Sequence, residues 1–154
     1  MVHEFRTTQE LHYFSNIDFE IVRGDSRDML LILTAINVEK LEDQLGKRYT
    51  TLQTIPDNSD LEEPFDLTGA VVRMMVRKTE DSSEILITKV STTPTEALIL
   101  TPESEGKVEI YFDPADTEDL DVGEYFFDIQ VDTATSKRYT PVKGKMYVVG
   151  DVVR

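Results

Sequence analysis

Apolar and polar residues alternate with a period of two along much of the chain, which is the pattern of half-buried β-strands. The alternation is clean over residues 17–21 and 107–112, and residues 125–131 place an apolar side chain at every second position. Residues 29–36 are apolar at nearly every position, which predicts a central strand covered on both faces.

Further strands are predicted after residue 65, separated by short turn-forming segments and by nothing long enough for a helix. They are residues 70–77, 85–88, 97–100, 139–142 and 146–149. Many short strands with turns between them are typical of an antiparallel β-sandwich and not of alternating strands and helices. We therefore predict an all-β fold, with one sandwich domain over residues 17–154.

Two segments depart from this rhythm. Residues 37–45 have helical spacing of apolar positions and residues 55–64 form an acidic loop, so we interpret residues 37–64 as an insertion. Residues 1–16 mix charges with aromatic side chains, which predicts an N-terminal arm or a short helix that docks on another surface.

Charge narrows the range of partners. The chain has 154 residues with 16 Lys and Arg against 30 Asp and Glu, a formal net charge of −14. Such a chain repels phosphate backbones and anionic lipids, so we expect neither nucleic acid nor a membrane as partner. No apolar run approaches the roughly 20 residues that span a bilayer. Residues 1–6 lack the features of a secretory signal, so we expect synthesis in the cytoplasm.

The residue types that usually carry catalysis are scarce. There is no Cys or Trp, and the only two imidazoles, His3 and His12, lie at the N-terminus. Missing thiols exclude disulfides, thiolate metal sites and cysteine nucleophiles. No glycine-rich phosphate loop is present, and nothing singles out a pair of carboxylates. The sequence therefore predicts no enzyme activity, no catalytic residue, no metal site and no cofactor.

Residues 113–121 carry five carboxylates, a density at which calcium finds oxygen ligands. The spacing does not fit the EF-hand loop, so we favour an exposed connection in which Asp113 caps a helical turn and Pro114 occupies its first position. A second acidic stretch invites the same two interpretations and consists of Asp57, Asp60, Glu62 and Glu63.

Arg23-Gly24-Asp25 spells a tripeptide that integrins bind. Short motifs often match by chance, and a turn with a positive φ at the glycine accounts for these residues without any ligand. We favour the turn.

Three apolar residues fall on the polar side of their predicted strands: Val71, Met75 and Phe126. They could be covered by the insertion or by a partner, and the sequence does not distinguish the two.

A set of turn motifs occurs in a fixed order along residues 17–153. They are Arg23-Gly24-Asp25, Asp66-Leu67-Thr68-Gly69-Ala70, Gly106-Lys107-Val108, Asp116-Thr117, Gly123-Glu124-Tyr125, Arg138-Tyr139-Thr140, Gly144-Lys145-Met146 and Asp151-Val152. In this the chain resembles the N-terminal domain of the upper baseplate proteins of tailed bacteriophages and, more broadly, the immunoglobulin-like sandwich modules of phage tails and fibres.

The resemblance implies an immunoglobulin-like sandwich and a structural protein of the virion, assembled in the host cytoplasm. Its work would be protein–protein contact in the tail, baseplate or fibre attachment region, with other virion proteins or with copies of itself in an oligomer or symmetric lattice. The alternatives are a capsid decoration or neck protein, and a receptor- or carbohydrate-binding module.

The candidate contact residues are apolar side chains outside the regular strand pattern. In the arm they are Phe5, Leu11, Tyr13 and Phe14, and in the insertion they are Val38, Leu41, Leu45 and Tyr49.

Overall fold

The computed structural model describes residues 2–8, 15–36 and 62–150, most of which lie in strands of two packed β-sheets. The first sheet has five strands: β1 (Val2–Thr8), β4 (Arg27–Ile36), β5 (Glu62–Pro64), β8 (Ala97–Ile99) and β9 (Lys107–Phe112). The second has six: β2 (Ser15–Asn16), β3 (Phe19–Val22), β6 (Val71–Arg77), β7 (Ile87–Val90), β10 (Gly123–Asp132) and β11 (Arg138–Val149). The predicted all-β sandwich is confirmed.

The strand order places long strands at the centre of each sheet. The first sheet runs β1-β4-β9-β8, with β5 also paired to β4. The second runs β2-β11-β10-β6-β7, with β3 also paired to β11. Strand β10 is therefore hydrogen-bonded along both edges, to β6 and to β11.

Alternation along the strands builds the core between the sheets. In β6 and β10 every second residue is buried, and Val72, Met74, Ile129 and Val131 have no exposed surface. Phe19 packs edge-on against Phe127 with ring centres 5.2 Å apart, and lies 6.1 Å from Phe112 of the other sheet. The sequence pattern predicted these inward positions, because successive side chains of a strand point to opposite faces and only the buried face needs to be apolar.

The N-terminal strands pair in a way that the sequence did not predict. Residues 2–8 form β1, a strand parallel to β4 with Phe5 opposite Leu31, where an arm or a short helix was expected. Strands β2 and β3 also pair in parallel, with β11, while the six other pairings are antiparallel. Alternation identifies a strand, but it does not show which strand pairs with it or whether the pair is parallel. The pattern therefore could not predict these pairings.

Two predicted strand boundaries are wrong. The strand predicted at residues 85–88 begins at Ile87 and continues to Val90, and Ile85 is 42% exposed. Residues 139–142 and 146–149 belong to one continuous strand, β11. The first error arises because Lys89 is buried, which a pattern of apolar residues cannot show.

Two turns are fixed by hydrogen bonds to side chains. The Tyr125 hydroxyl donates to the carbonyl of Asp121, 2.7 Å away and four residues upstream, which is the geometry of a tyrosine corner. Gly24 has a φ of 82° and its N–H donates to the hydroxyl of Thr117 at 2.9 Å. The tripeptide at residues 23–25 therefore forms the predicted turn.

Among the described residues, no helix is long and apolar enough to cross a membrane.

A glycine allows the segment between β2 and β3 to run along β11. The Ile17 N–H donates to the Lys143 carbonyl at 2.9 Å. A Cβ atom at Gly144 would overlap the Ile17 carbonyl oxygen. Both partners are backbone, so neither can move aside without breaking the pairing of these strands.

We predict that Gly144→Ala lowers the free energy of unfolding by about 3 kcal/mol or more, because a backbone clash must displace a strand. Gly150→Ala is the matched control: its Cβ would meet only a Val122 methyl at 3.9 Å, so a change within about 0.5 kcal/mol is expected. Urea unfolding of both variants measures this. Equal stability of the two variants would contradict the close approach.

Candidate interaction face

The outward side of β6, β10 and β11 forms a mixed charged and apolar surface, which we call the ladder face. The outward carboxylates of β10 lie at every second outward position, and cations from β6 and β11 flank them. Its charged members are Arg73, Arg77, Glu124, Asp128, Asp132, Arg138, Lys143 and Lys145. Arg73 and Arg77 are far in the sequence from Arg138, Lys143 and Lys145, yet all five lie on one face because β10 pairs with both β6 and β11.

Ion pairs cross the ladder face at three levels. Asp132 accepts two bonds from Arg138, at 2.7 and 3.3 Å, and lies 3.5 Å from Arg73. Asp128 lies 3.8 Å from Arg77, and Glu124 lies 2.6 Å from Lys145. Half-exposed pairs of this kind contribute little stability each, about 0–1 kcal/mol, so the arrangement sets the charge pattern more than it holds the fold.

Asp128 is the least exposed of the three acids, with 19% of its side chain accessible against 30% for Asp132 and 44% for Glu124. Burial raises its pKa, and the positive charges of Arg77 and Lys143 only partly offset that effect. Its Oδ1 atom is buried and makes no hydrogen bond with the described residues. A shallow groove beside it is lined by Arg77, Phe126 and Lys143 among others.

Asp132 shows the opposite behaviour four residues along the same strand. Its hydrogen bond from Arg138 is the main cause that holds its pKa below the ordinary value, and the charges of Arg138 and Arg73 add to it. On the ladder face, ionisation of Asp128 therefore destabilises the fold, whereas ionisation of Asp132 stabilises it.

Apolar side chains interleave the charges of the ladder face. Val71, Met75 and Phe126, the three outward apolar residues noted in the sequence, all lie here and are half-buried. The ammonium of Lys145 lies 5.7 Å from the centre of the Phe126 ring. Aromatic, Met and Arg side chains together are typical of the central part of protein interfaces.

The acidic run between β9 and β10 forms an ordered turn. Residues Pro114–Thr117 make one helical turn, α1, with Pro114 near its start as predicted. Asp116 accepts the backbone N–H of Asp113 at 2.7 Å, and it also accepts the ammonium of Lys89 at 2.6 Å. We call residues 113–121 the acidic turn.

Lys89 joins the two sheets through the acidic turn. It lies on β7 with its side chain 5% exposed, and its ammonium lies 5.6 Å from the Phe112 ring centre. Asp116 is one of the five carboxylates for which calcium was an alternative, and the cation beside it is thus an ammonium from the chain itself. Within residues 2–8, 15–36 and 62–150, no group of three or more Asp, Glu or His side chains is arranged to hold a metal ion.

The predicted contact residues lie mostly outside the described part of the chain. Phe5 lies on β1, opposite Leu31 in the register. Outside the described residues are Leu11, Tyr13, Phe14, Val38, Leu41, Leu45 and Tyr49. Of the second acidic stretch, Glu62 and Glu63 lie on β5, whereas Asp57 and Asp60 also fall outside. The ladder face itself was missed, although its outward apolar residues were the signal that could have located it.

No family model matches the chain, and no curated protein sequence is similar to it. Among solved structures, it is similar to the N-terminal domain of phage TP901-1 ORF48, with a TM-score of 0.53 and 7% sequence identity. The similarity covers 96% of this chain and 97% of that one. At this identity the likeness shows a shared fold over nearly the whole of both chains.

We predict that Asp128→Asn and Asp132→Asn change stability in opposite directions at pH 7. Ionised Asp128 costs stability above its raised pKa, so Asp128→Asn should raise the free energy of unfolding, by the order of 0.5 kcal/mol. That advantage should vanish as the pH falls through the folded-state pKa.

Asp132→Asn should instead lower stability at pH 7, and its loss should vanish as the pH falls through the lowered pKa of Asp132. Urea unfolding of the two variants and of the unmodified chain, at pH 7 and at acidic pH, measures both effects. A destabilised Asp128→Asn at pH 7 would contradict the dominance of burial at that residue.

We predict a strong coupling between Lys89 and Asp116. Lys89→Met and Asp116→Asn should each lower the free energy of unfolding by about 2–4 kcal/mol, because each leaves a largely buried charge or polar group without its partner. The double variant should lose clearly less than the sum of the two. Additive losses in a double-mutant cycle would show that the two side chains do not interact.

Proposed function

We propose that the chain is a structural protein of a bacteriophage particle, an assembly or adaptor module of the tail, baseplate or fibre attachment region. In this proposal it acts through protein–protein contacts, catalyses no reaction and carries no cofactor. The observation that carries the proposal is the likeness in fold to the N-terminal domain of phage TP901-1 ORF48, which extends over nearly all of both chains.

Several of the turn motifs support the same assignment, because they occupy turns and strand starts of the fold. Asp66 accepts the N–H and the hydroxyl of Thr68, at 3.0 and 2.6 Å, in the turn that precedes β6. Gly106 follows the short 3-10 turn Glu103–Glu105 with a φ of 71°, and its carbonyl accepts the Leu33 N–H at 2.8 Å. The sequence resemblance to upper baseplate domains therefore rests on residues that shape the sandwich.

The ladder face supports a role in assembly. Its half-buried Phe126 and Met75 lie among paired charges, a combination suited to a contact that must also be specific in orientation. An immunoglobulin-like module whose partners are other virion proteins would use such a face, since charge pairs align the partner and the apolar residues supply the burial. In this proposal the protein's final location is the virion.

The proposal predicts that the chain is present at fixed stoichiometry in purified particles made from the genome that encodes it. Quantitative mass spectrometry of gradient-purified particles measures this. Particles from a genome with a stop codon in the gene should lack part of the tail or its attachments in electron micrographs. A synonymous change at the same codon is the control and should leave the particles intact.

Absence of the chain from purified particles, with abundant protein in infected cells, would overturn the proposal. Loss of a head or neck component in the stop-codon particles would replace the tail assignment with the capsid or neck alternative. Intact particles that no longer adsorb to cells would favour the receptor-binding alternative.

A further inference from the structure

The ladder face and the acidic turn carry opposite charge patterns in one chain. The ladder face holds five cations and three carboxylates on strands β6, β10 and β11, although the chain as a whole has a net charge of −14. At the acidic turn, Glu118, Asp119 and Asp121 are exposed, and their carboxylates form no ion pair with any described residue. Arg73 and Arg138 share the single carboxylate of Asp132, so the ladder face carries more positive charge than its own carboxylates neutralise, whereas the exposed side chains of the acidic turn include only negative charges.

We propose that the ladder face is a docking surface and that its occupant is the acidic turn of a second copy of the chain. The inference deepens the proposed function and rests on it for the biological use of the contact. The contact itself is a property of the purified protein.

Rigidity of the acidic turn favours this occupant over a mobile acidic segment. The Asp116–Lys89 pair ties the turn to β7, the Thr117 hydroxyl accepts the Gly24 N–H, and the Asp121 carbonyl accepts the Tyr125 hydroxyl. A segment that is already ordered loses little conformational entropy on docking. Its exposed carboxylates are thus presented at fixed positions.

The apolar residues of the ladder face give the contact a source of burial besides charge. Leu120 of the acidic turn packs partly against the core, so the turn itself is mainly polar on its exposed side. Phe126 and Met75 would be covered when the turn lies across β10 and β6. Burial of these side chains removes apolar surface from water, at about 25 cal/mol for each Å².

The two surfaces are different parts of the chain, so the contact is heterologous. Each copy would use its ladder face towards one neighbour and its acidic turn towards another. A heterologous contact repeats into a ring if its rotation closes and into a filament if it does not.

Sedimentation velocity of the purified full chain over a range of concentrations tests the contact. We expect reversible self-association of the unmodified chain. Lys145→Glu should weaken it by about tenfold or more, because it places a carboxylate where the incoming turn brings its own. Lys107→Glu is a matched control, since Lys107 is also paired with a glutamate and its side chain is 43% exposed against 42% for Lys145.

The acidic turn is tested in the same way. Glu118→Lys should weaken self-association as Lys145→Glu does. Glu105→Lys, an exposed glutamate on the 3-10 turn, is the control for the same change in net charge and should leave it unchanged. Thermal unfolding of all four variants should confirm that the fold is retained.

Mixing the two weakened variants gives the decisive result. Lys145→Glu keeps an intact acidic turn and Glu118→Lys keeps an intact ladder face, so the mixture should associate more strongly than either variant alone. A monomeric unmodified chain at all concentrations, or a mixture without a complex, would overturn the proposal. So would equal weakening by Lys107→Glu, because net charge alone would then explain the effect. None of these outcomes bears on whether the chain is found in purified particles.

Discussion

The placement of β10 between β6 and β11 is the constraint on which both the core and the ladder face depend. Its inward residues, from Tyr125 to Val131, close the space between the sheets. Its outward carboxylates stand between the cations of its two neighbours. Because successive side chains of a strand point to opposite faces, a shift of one residue in register would bury Asp128 and expose Phe127. One register therefore fixes the interior and the surface together.

The buried Lys89–Asp116 pair ties the acidic turn to this framework. The ammonium comes from β7 of the second sheet, while the carboxylate lies on the connection that leaves β9 of the first. A pair of this kind gains little over an apolar contact of the same shape, but it is costly to break from one side. The pair therefore contributes more to position than to net stability, because it holds the acidic turn in one place with its remaining carboxylates facing outward.

Much of this fold could be predicted from the sequence, because period-two alternation reports directly which face of a strand is buried. The inward set of β10, the turn at Gly24 and the helical turn begun by Pro114 were all predicted from local patterns and turn residues. Pairing partners were not, since the parallel position of β1 against β4 depends on residues far apart in the chain. Lys89 was missed for a related reason: its burial depends on a partner 27 residues away.

The ladder face could not be predicted from the sequence for the same reason, because it too depends on which strands pair. Arg73 and Arg77 on one side and Lys143 and Lys145 on the other are separate basic stretches in the sequence, each diluted by acids. Only the strand order brings them to one surface. The outward position of Phe126 was visible from the pattern alone, but its neighbours were not, so a surface with both charge and apolar area could not be assembled from sequence.

The net charge of the chain predicts repulsion between two copies, whereas the charges at the proposed contact predict attraction. Which of the two dominates depends on the distance between the copies. A net charge of −14 repels a second copy at long range, yet at physiological ionic strength the interaction between exposed charges is screened beyond about 8 Å. At contact, only groups within that distance act strongly, and there the cations of the ladder face would meet Glu118 and Asp119. Repulsion then acts mainly on unaligned encounters, which would lack these pairings. A strongly acidic chain with one cation-rich face can therefore stay soluble as a monomer and still favour a single orientation of contact, which is what an ordered assembly requires.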